Sequence, residues 1–240
     1  MKKHKSLIVS DYDGTIKNID KLNEFKENIK LIESLVNLQI TFMISTGRVF
    51  ESINKDIVDF NIPFNYLTCC NGNALFDEKR NIMWNTRINS LIEKELKAYY
   101  KYILSFEPKD VYGNFTQKNA VEYCIQLIEN KQIRREIVNY LLVSNIFDYC
   151  TDGDNKFKIH IFNNSNKITS IEIVRKILKI SKKEIYTIGD STNDLEMIKK
   201  YNGFILGNNI NNYNDLGIQK YDTFDTFVQD IQHCLVKKRI

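Results

Sequence analysis

The feature that most constrains this chain is an apolar run that stops at a pair of carboxylates. Ser6-Leu7-Ile8-Val9-Ser10 has the uncharged, partly β-branched character of a buried strand and ends at Asp11-Tyr12-Asp13-Gly14-Thr15. A helical spacing of apolar residues follows over 24–38, then an apolar run at 40–44 that ends at Ser45-Thr46-Gly47. A second helical stretch, 49–60, closes before Pro63, and a strand-like run at 66–70 leads into Asn71-Gly72. Strands separated by helices of this length imply an α/β fold with a parallel sheet. In such sheets ligands bind just beyond the carboxyl ends of the strands, where the paired acids stand.

After residue 76 the alternation changes. Ala74-Leu75-Phe76 and Ile82-Met83-Trp84 flank a polar turn and read as a hairpin. Helical stretches at 90–104 and 131–143 and strand-like runs at 121–127 and 156–162 make a mixed α+β block. The βα rhythm returns at Lys167, with a helix to 178, a strand at 184–188, a helix at 195–200, a strand at 204–206 and a last helix at 224–235. The expected organisation is a Rossmann-like core of residues 1–79 and 164–240 with an inserted module at 80–163.

Composition narrows the function. The net charge of +4 over 240 residues is spread among both signs, which argues against a nucleic-acid binder. Short basic ends (Lys2, Lys3, Lys5 and Lys237-Lys238-Arg239) read as solvated. No apolar run approaches the roughly 20 residues needed to span a bilayer, and Leu7-Ile8-Val9 is too short for a signal h-region. A cytoplasmic monomer is expected. Cys69, Cys70, Cys124, Cys150 and Cys234 lack C-x-x-C spacing and read as small buried hydrophobes. His4, His160 and His233 are too dispersed for a His-based metal site.

The chemistry lies in the acids. Asp11 and Asp13, at i and i+2 of an extended segment, would point to the same side. Alone, such a pair reads as an Asx-type turn. Gly189-Asp190-Ser191-Thr192-Asn193-Asp194, after a second strand of the same kind, changes that reading. If the two strands are neighbours, Asp11, Asp13 and Asp190 converge, with Asp194 behind them and also placed to cap a helix. Such a cluster requires a divalent cation, and an all-oxygen donor set favours Mg²⁺. Thr46, at a strand end before Gly47, can donate to phosphate oxygens, and Lys167 adds its charge to a helix N-terminus.

Taken in this order, Asp11 to Thr15, Ser45-Thr46-Gly47-Arg48, Lys167 and Gly189 to Asp194 resemble the motifs of the haloacid dehalogenase (HAD) superfamily of phosphohydrolases. Arg48, Asn71-Gly72 and Leu195-Glu196-Met197 look most like its Cof-type branch, whose members carry a large cap where the 80–163 block falls. The resemblance implies Asp11 as the nucleophile that forms an aspartyl-phosphate. It implies Asp13 as general acid and then base, with its main-chain carbonyl on Mg²⁺. Asp190 would complete the metal site, with Asp194 supporting it and orienting Lys167. Thr46 and Lys167 would hold the phosphoryl oxygens, and Gly14, Thr15 and Asn193 would support them. Gly47, Arg48, Asn71 and Gly72 are candidate substrate contacts.

The partner implied is a small phosphorylated metabolite such as a sugar phosphate. Lys109, Tyr112, Asn114 and Lys118 in the inserted block read first as an exposed loop and second as a sugar-facing surface. A phosphomutase of the same fold and a non-catalytic phosphometabolite sensor are the alternatives. The absence of G-x-G-x-x-G after the first strand argues against a dinucleotide enzyme.

Overall fold

The computed structural model describes residues 6–18, 20–88, 91–116, 119–144, 147–151, 157–163, 166–207 and 217–237. Lys118, His4, Lys2, Lys3, Lys5, Lys238 and Arg239, discussed above, lie outside the described residues, as do the expected element ends at 90 and 156.

The first strand, β1 (Leu7–Asp11), is buried along its whole length. Its alternation divides the core: Ile8 packs on one face of the sheet with Phe25, Ile32, Ile53 and Phe227, while Leu7 and Val9 pack on the other with Ile171, Val174 and Met197. The first face is covered by α1 (Leu22–Asn37), α2 (Phe50–Phe60) and α7 (Phe224–Lys237), and the second by α5 (Lys167–Leu178) and α6 (Leu195–Lys200). Between them lie β2 (Thr41–Ser45), β3 (Tyr66–Cys69), β4 (Ala74–Asp77), β5 (Ile82–Asn85), β10 (Ile185–Gly189), β11 (Asn202–Leu206) and β12 (Gln219–Tyr221). The eight-stranded order is β12-β11-β10-β1-β2-β3-β4-β5. It is parallel from β12 to β3 and antiparallel beyond.

The chain steps outward from β1 in one direction through β2 and β3 and in the other through β10 and β11, so a topological switch point lies between β1 and β10. This is where a crevice opens at the carboxyl edge of such a sheet. In register, Ser10 faces Ile188 and Asp11 faces Ser45, which brings the ends of three strands level.

A second, antiparallel sheet of order β6-β7-β9-β8 is built from β6 (Ile103–Lys109), β7 (Glu122–Leu127), β8 (Phe147–Thr151) and β9 (Lys158–Asn163). Tyr123, Ile125, Leu127, Ile159 and Ile161 form its own apolar core with Ile92 and Leu96 of α3 (Leu91–Leu96) and Ile133, Ile137 and Leu141 of α4 (Lys131–Ser144). The expected boundary after residue 79 falls inside the β4–β5 hairpin, whose second strand is the outer edge of the large sheet. The stretch expected as one helix over 90–104 ends as a helix at Leu96, continues as 3₁₀ turns over Lys97–Tyr102, and becomes β6. β8 and β12 also lie where no strand was expected.

The two parts touch through apolar and main-chain contacts. Tyr112 meets Phe50 edge-on at 5.7 Å and lies 6.4 Å from the ring of Phe76, which stacks on Phe50 within the first part. The Phe50 N–H donates to the Val111 carbonyl at 2.9 Å.

Candidate active site

The switch point gathers four charged side chains in a nearly dry setting. Asp11 ends β1 and is 7% exposed, Asp190 follows β10, Asp194 is fully buried, and Lys167 is 5% exposed at the first position of α5. Asn166 caps that helix by accepting from the Ile168 N–H at 3.1 Å, which fixes where Lys167 starts. The Lys167 Nζ donates to Asp11 Oδ1 at 2.5 Å and to Asp194 Oδ1 at 2.7 Å. The other Asp194 oxygen accepts from the Ser191 N–H at 3.1 Å and its hydroxyl at 2.9 Å, so one carboxylate both ties the turn and holds the lysine.

Burial and charge work against each other here. Burial raises the Asp11 carboxyl and Asp194 raises it further, while Lys167 pulls it down; the result lies above the usual carboxylate range. For Lys167, burial lowers the ammonium, but Asp11 and Asp194 outweigh it and keep the group charged. One oxygen from each of Asp11, Asp190 and Asp194 lies within 4.8 Å of the others. Three converging carboxylates against a single ammonium are the donor set that suits a hard divalent cation.

The turn after β1 is built to admit Asp190. Gly14 has φ +82°, and a Cβ there would collide with the Asp190 carboxylate. The Thr15 hydroxyl donates to Asp190 Oδ1 at 3.3 Å. Asn193 is exposed on its 3₁₀ turn and is not drawn into the cluster.

Asp13 goes elsewhere. The strand ends at Asp11 and the chain turns, with the Ile16 and Lys17 N–H groups both donating to the Tyr12 carbonyl at 3.0 and 2.9 Å. The expectation that the two carboxylates share a side assumed an extended segment through Asp13. Instead, Asp11 pairs with Lys167, and the more exposed Asp13 is gripped by Arg48 through Nε at 2.8 Å and NH2 at 2.5 Å. Arg48 was expected as a substrate contact; here its fork is engaged by Asp13 and by Asp56 at 2.9 Å.

Thr46 is buried beside Asp11's neighbour Ser45, and its Oγ accepts from the Arg48 N–H at 3.1 Å. Asn71 donates its main-chain N–H to the Thr46 carbonyl at 3.1 Å, and its side chain packs over Gly47. Gly72 supports the site from behind. It has φ +97°, a Cβ there would strike the Asn166 carbonyl, and its own carbonyl accepts from Ser170 at 2.9 Å. It therefore lets the β3–β4 turn approach the start of α5 and seat Lys167. In the second sheet's loop, Asn114 is tied to Asp110. Lys109 joins Arg48, Glu51, Ser52, Lys55 and Asp56 around a cavity of about 460 Å³. Asp56, Tyr12 and Lys17 carry no local signal that would single them out in the sequence, and their roles depend on contacts across the fold. Ser191 does carry one, since Ser191-x-x-Asp194 has the spacing of a capping box.

Comparison with known proteins shows the family and the fold. The sequence pattern of the haloacid dehalogenase-like hydrolases matches residues 8–145 and 100–215. The 5-amino-6-(5-phospho-D-ribitylamino)uracil phosphatase of Bacillus subtilis (strain 168) is 23% identical over 211 residues, covering 84% of each chain. Among solved structures, a phosphatase of the haloalkanoate enzyme superfamily from Bacteroides thetaiotaomicron superposes with a TM-score of 0.77 at 14% identity, covering 97% of this chain and 96% of that one. A haloacid dehalogenase-like hydrolase from B. subtilis gives 0.76 at 15% identity, covering 96% and 98%.

Proposed function

This chain belongs to the haloacid dehalogenase-like hydrolases, and from that membership we propose a Mg²⁺-dependent phosphatase that cleaves small phosphorylated metabolites, sugar phosphates foremost, through an aspartyl-phosphate on Asp11. The observation that carries this reading is the buried Asp11 carboxylate at the switch point, held by Lys167 at 2.5 Å beside Asp190 and Asp194.

In the first step an Asp11 oxygen bonds to phosphorus in line with the ester oxygen, and the P–O bond to the alcohol breaks. With one of its two Arg48 bonds opened and that oxygen protonated, Asp13 gives the proton to the departing alkoxide. In the second step water attacks the aspartyl-phosphate, Asp13 takes a proton from it, and phosphate leaves as Asp11 is regenerated. Lys167 orients the Asp11 carboxylate and offers positive charge to the phosphoryl oxygens, with Thr46 donating from the next strand. Asp11, Asp190, Asp194 and the Asp13 carbonyl are the groups that would hold Mg²⁺, which when bound neutralises charge that builds on the phosphoryl oxygens.

The second sheet and its helices, within the 80–163 block, would act as the cap that closes over the crevice and selects the alcohol. The Bacillus relative is named for a phosphorylated ribityl substrate, a polyol phosphate in the same chemical class. The free thiols of Cys69, Cys70, Cys124 and Cys234 fit action in a reducing cytoplasm. No helix among the described residues is long and apolar enough to cross a membrane.

The test is phosphate release from an aryl phosphate in Mg²⁺. Asp11→Asn and EDTA should each abolish it; activity that survives either change would refute the mechanism.

A further inference from the structure

Asp56 lies outside the Asp11–Lys167–Asp194 cluster, on α2, yet it is the hub of a second charged network. Its Oδ2 accepts from Lys17 Nζ at 2.8 Å, Tyr12 OH at 3.0 Å and Arg48 NH1 at 2.9 Å. All three donors belong to segments that carry the catalytic motifs. Arg48 spends its remaining nitrogens on both oxygens of Asp13 and lies 5.2 Å from the Tyr12 ring centroid. Burial would raise the Asp56 carboxyl, but the hydrogen bonds from Lys17 and Tyr12 and the charges of Lys17 and Arg48 hold it below its usual range, so it is a fixed anion.

Exposure rises along this chain of contacts: the side chains of Asp56, Arg48 and Asp13 are 13%, 25% and 44% exposed. A carboxylate as open as Asp13 would sample several rotamers in water. A bidentate guanidinium fixes both its oxygens in one plane, provided the guanidinium is itself fixed. Asp56 and the Tyr12 ring supply that second constraint from the buried side.

We propose that Asp56 is a positioning residue for the phosphoryl-transfer reaction: it anchors Arg48, and through Arg48 it sets where the acid/base carboxylate of Asp13 stands. The inference deepens the phosphatase reading and rests on it. A proton from Asp13 matters in proportion to the basicity of the leaving oxygen. An alkoxide cannot depart from phosphorus at neutral pH without one, whereas 2,4-dinitrophenolate leaves as the anion. Misplacing Asp13 therefore penalises alkyl esters selectively, while a general disturbance of Asp11 or of the phosphate ligands penalises both.

The experiment compares kcat/KM for glycerol phosphate and for 2,4-dinitrophenyl phosphate in wild type, Asp56→Asn, Asp56→Ala and Arg48→Lys, all with Mg²⁺. General acid catalysis contributes about 10²–10⁴-fold, so loss of positioning should lower the alkyl-to-aryl ratio by about tenfold or more in each variant. The double variant Asp56→Asn/Arg48→Lys should fall no further than Arg48→Lys alone, because both act along one line of contacts. The ratio is independent of how much protein is folded, since inactive material drops out of both terms. An Asp56→Ala ratio within about twofold of wild type, or fully multiplicative losses in the double variant, would overturn the role of Asp56. Failure of the wild type to release phosphate from either ester would instead overturn the phosphatase reading itself.

Discussion

Replacing Lys167 by Met keeps the length of the side chain and removes its charge from the middle of three carboxylates. The lysine is 5% exposed and is within 2.7 Å of both Asp11 and Asp194, and Asp190 is close enough for the three carboxylates to share a cation. Removing one partner of a buried ion pair costs about 3–5 kcal/mol, because the remaining charge is left desolvated and unpaired. For a chain of 240 residues each kcal/mol moves the melting temperature by about 2–4 °C, so Lys167→Met should melt at least about 6 °C below wild type in EDTA.

The same geometry predicts how Mg²⁺ acts on that deficit. In wild type the ammonium already offsets part of the negative charge, so a cation gains less there than in the variant. Each protein gains RT ln(1 + [L]/Kd), so the gap closes by the difference of the two increments: a site about a hundredfold tighter in the variant would recover about 2.7 kcal/mol of the loss. Thermal melts of both proteins in EDTA and in saturating Mg²⁺ are the assay. The melting gap should narrow on adding Mg²⁺. A gap below about 1 kcal/mol in EDTA, or equal Mg²⁺ increments in the two proteins, would refute the reasoning that Lys167 balances this cluster.

Two further outcomes follow from other parts of the fold. Gly72→Ala places a Cβ against the Asn166 carbonyl at φ +97°, so we expect a loss of about 2 kcal/mol and a melting temperature lower by about 4–8 °C, with a lower kcat as the start of α5 shifts. An alanine variant as stable as wild type would show that the β3–β4 turn does not need this close approach. Glu172 accepts from Tyr201 OH and Arg175 Nε, each at 2.7 Å; burial raises its carboxyl, but these bonds and the charges of Arg175 and Lys200 leave it below the usual value. A depressed carboxyl stabilises the fold above its unfolded pKa and loses that contribution as pH falls through the folded one. Urea unfolding should therefore show Glu172→Gln less stable than wild type by about 1 kcal/mol at pH 7, and the two should converge as pH falls below the ordinary glutamate range; a gap that persists in acid would contradict the assignment.

The central strands were legible because each announces itself twice. β1, β2, β3 and β10 are apolar runs that must be buried on both faces, and each stops at a motif residue. Helices α5 and α6 were equally plain, one opened by Asn166-Lys167 and the other following Asp194. The strands that escaped notice, β6, β8 and β12, all lie at sheet edges. An edge strand has a neighbour on one side only and need not be uniformly apolar; β6 is mostly half-buried and β12 exposes Gln219 and Lys220. Its extended form comes from the strand it pairs with across a connecting segment rather than from an apolar pattern of its own.

The candidate site divides along the same line. From the sequence alone came the residue types and their places at strand and helix ends: Asp11, Asp13, Thr46, Lys167, Asp190 and Asp194. Those follow from local rules, because a strand end, a tight turn or a helix start is encoded within a few residues. Only the tertiary structure decided which cation each acid meets. Asp11 went to Lys167, 156 residues away, and Asp13 to Arg48 and, beyond it, Asp56. No local pattern carries that choice, since it depends on strand order around the switch point and on how far each carboxylate is withdrawn from water.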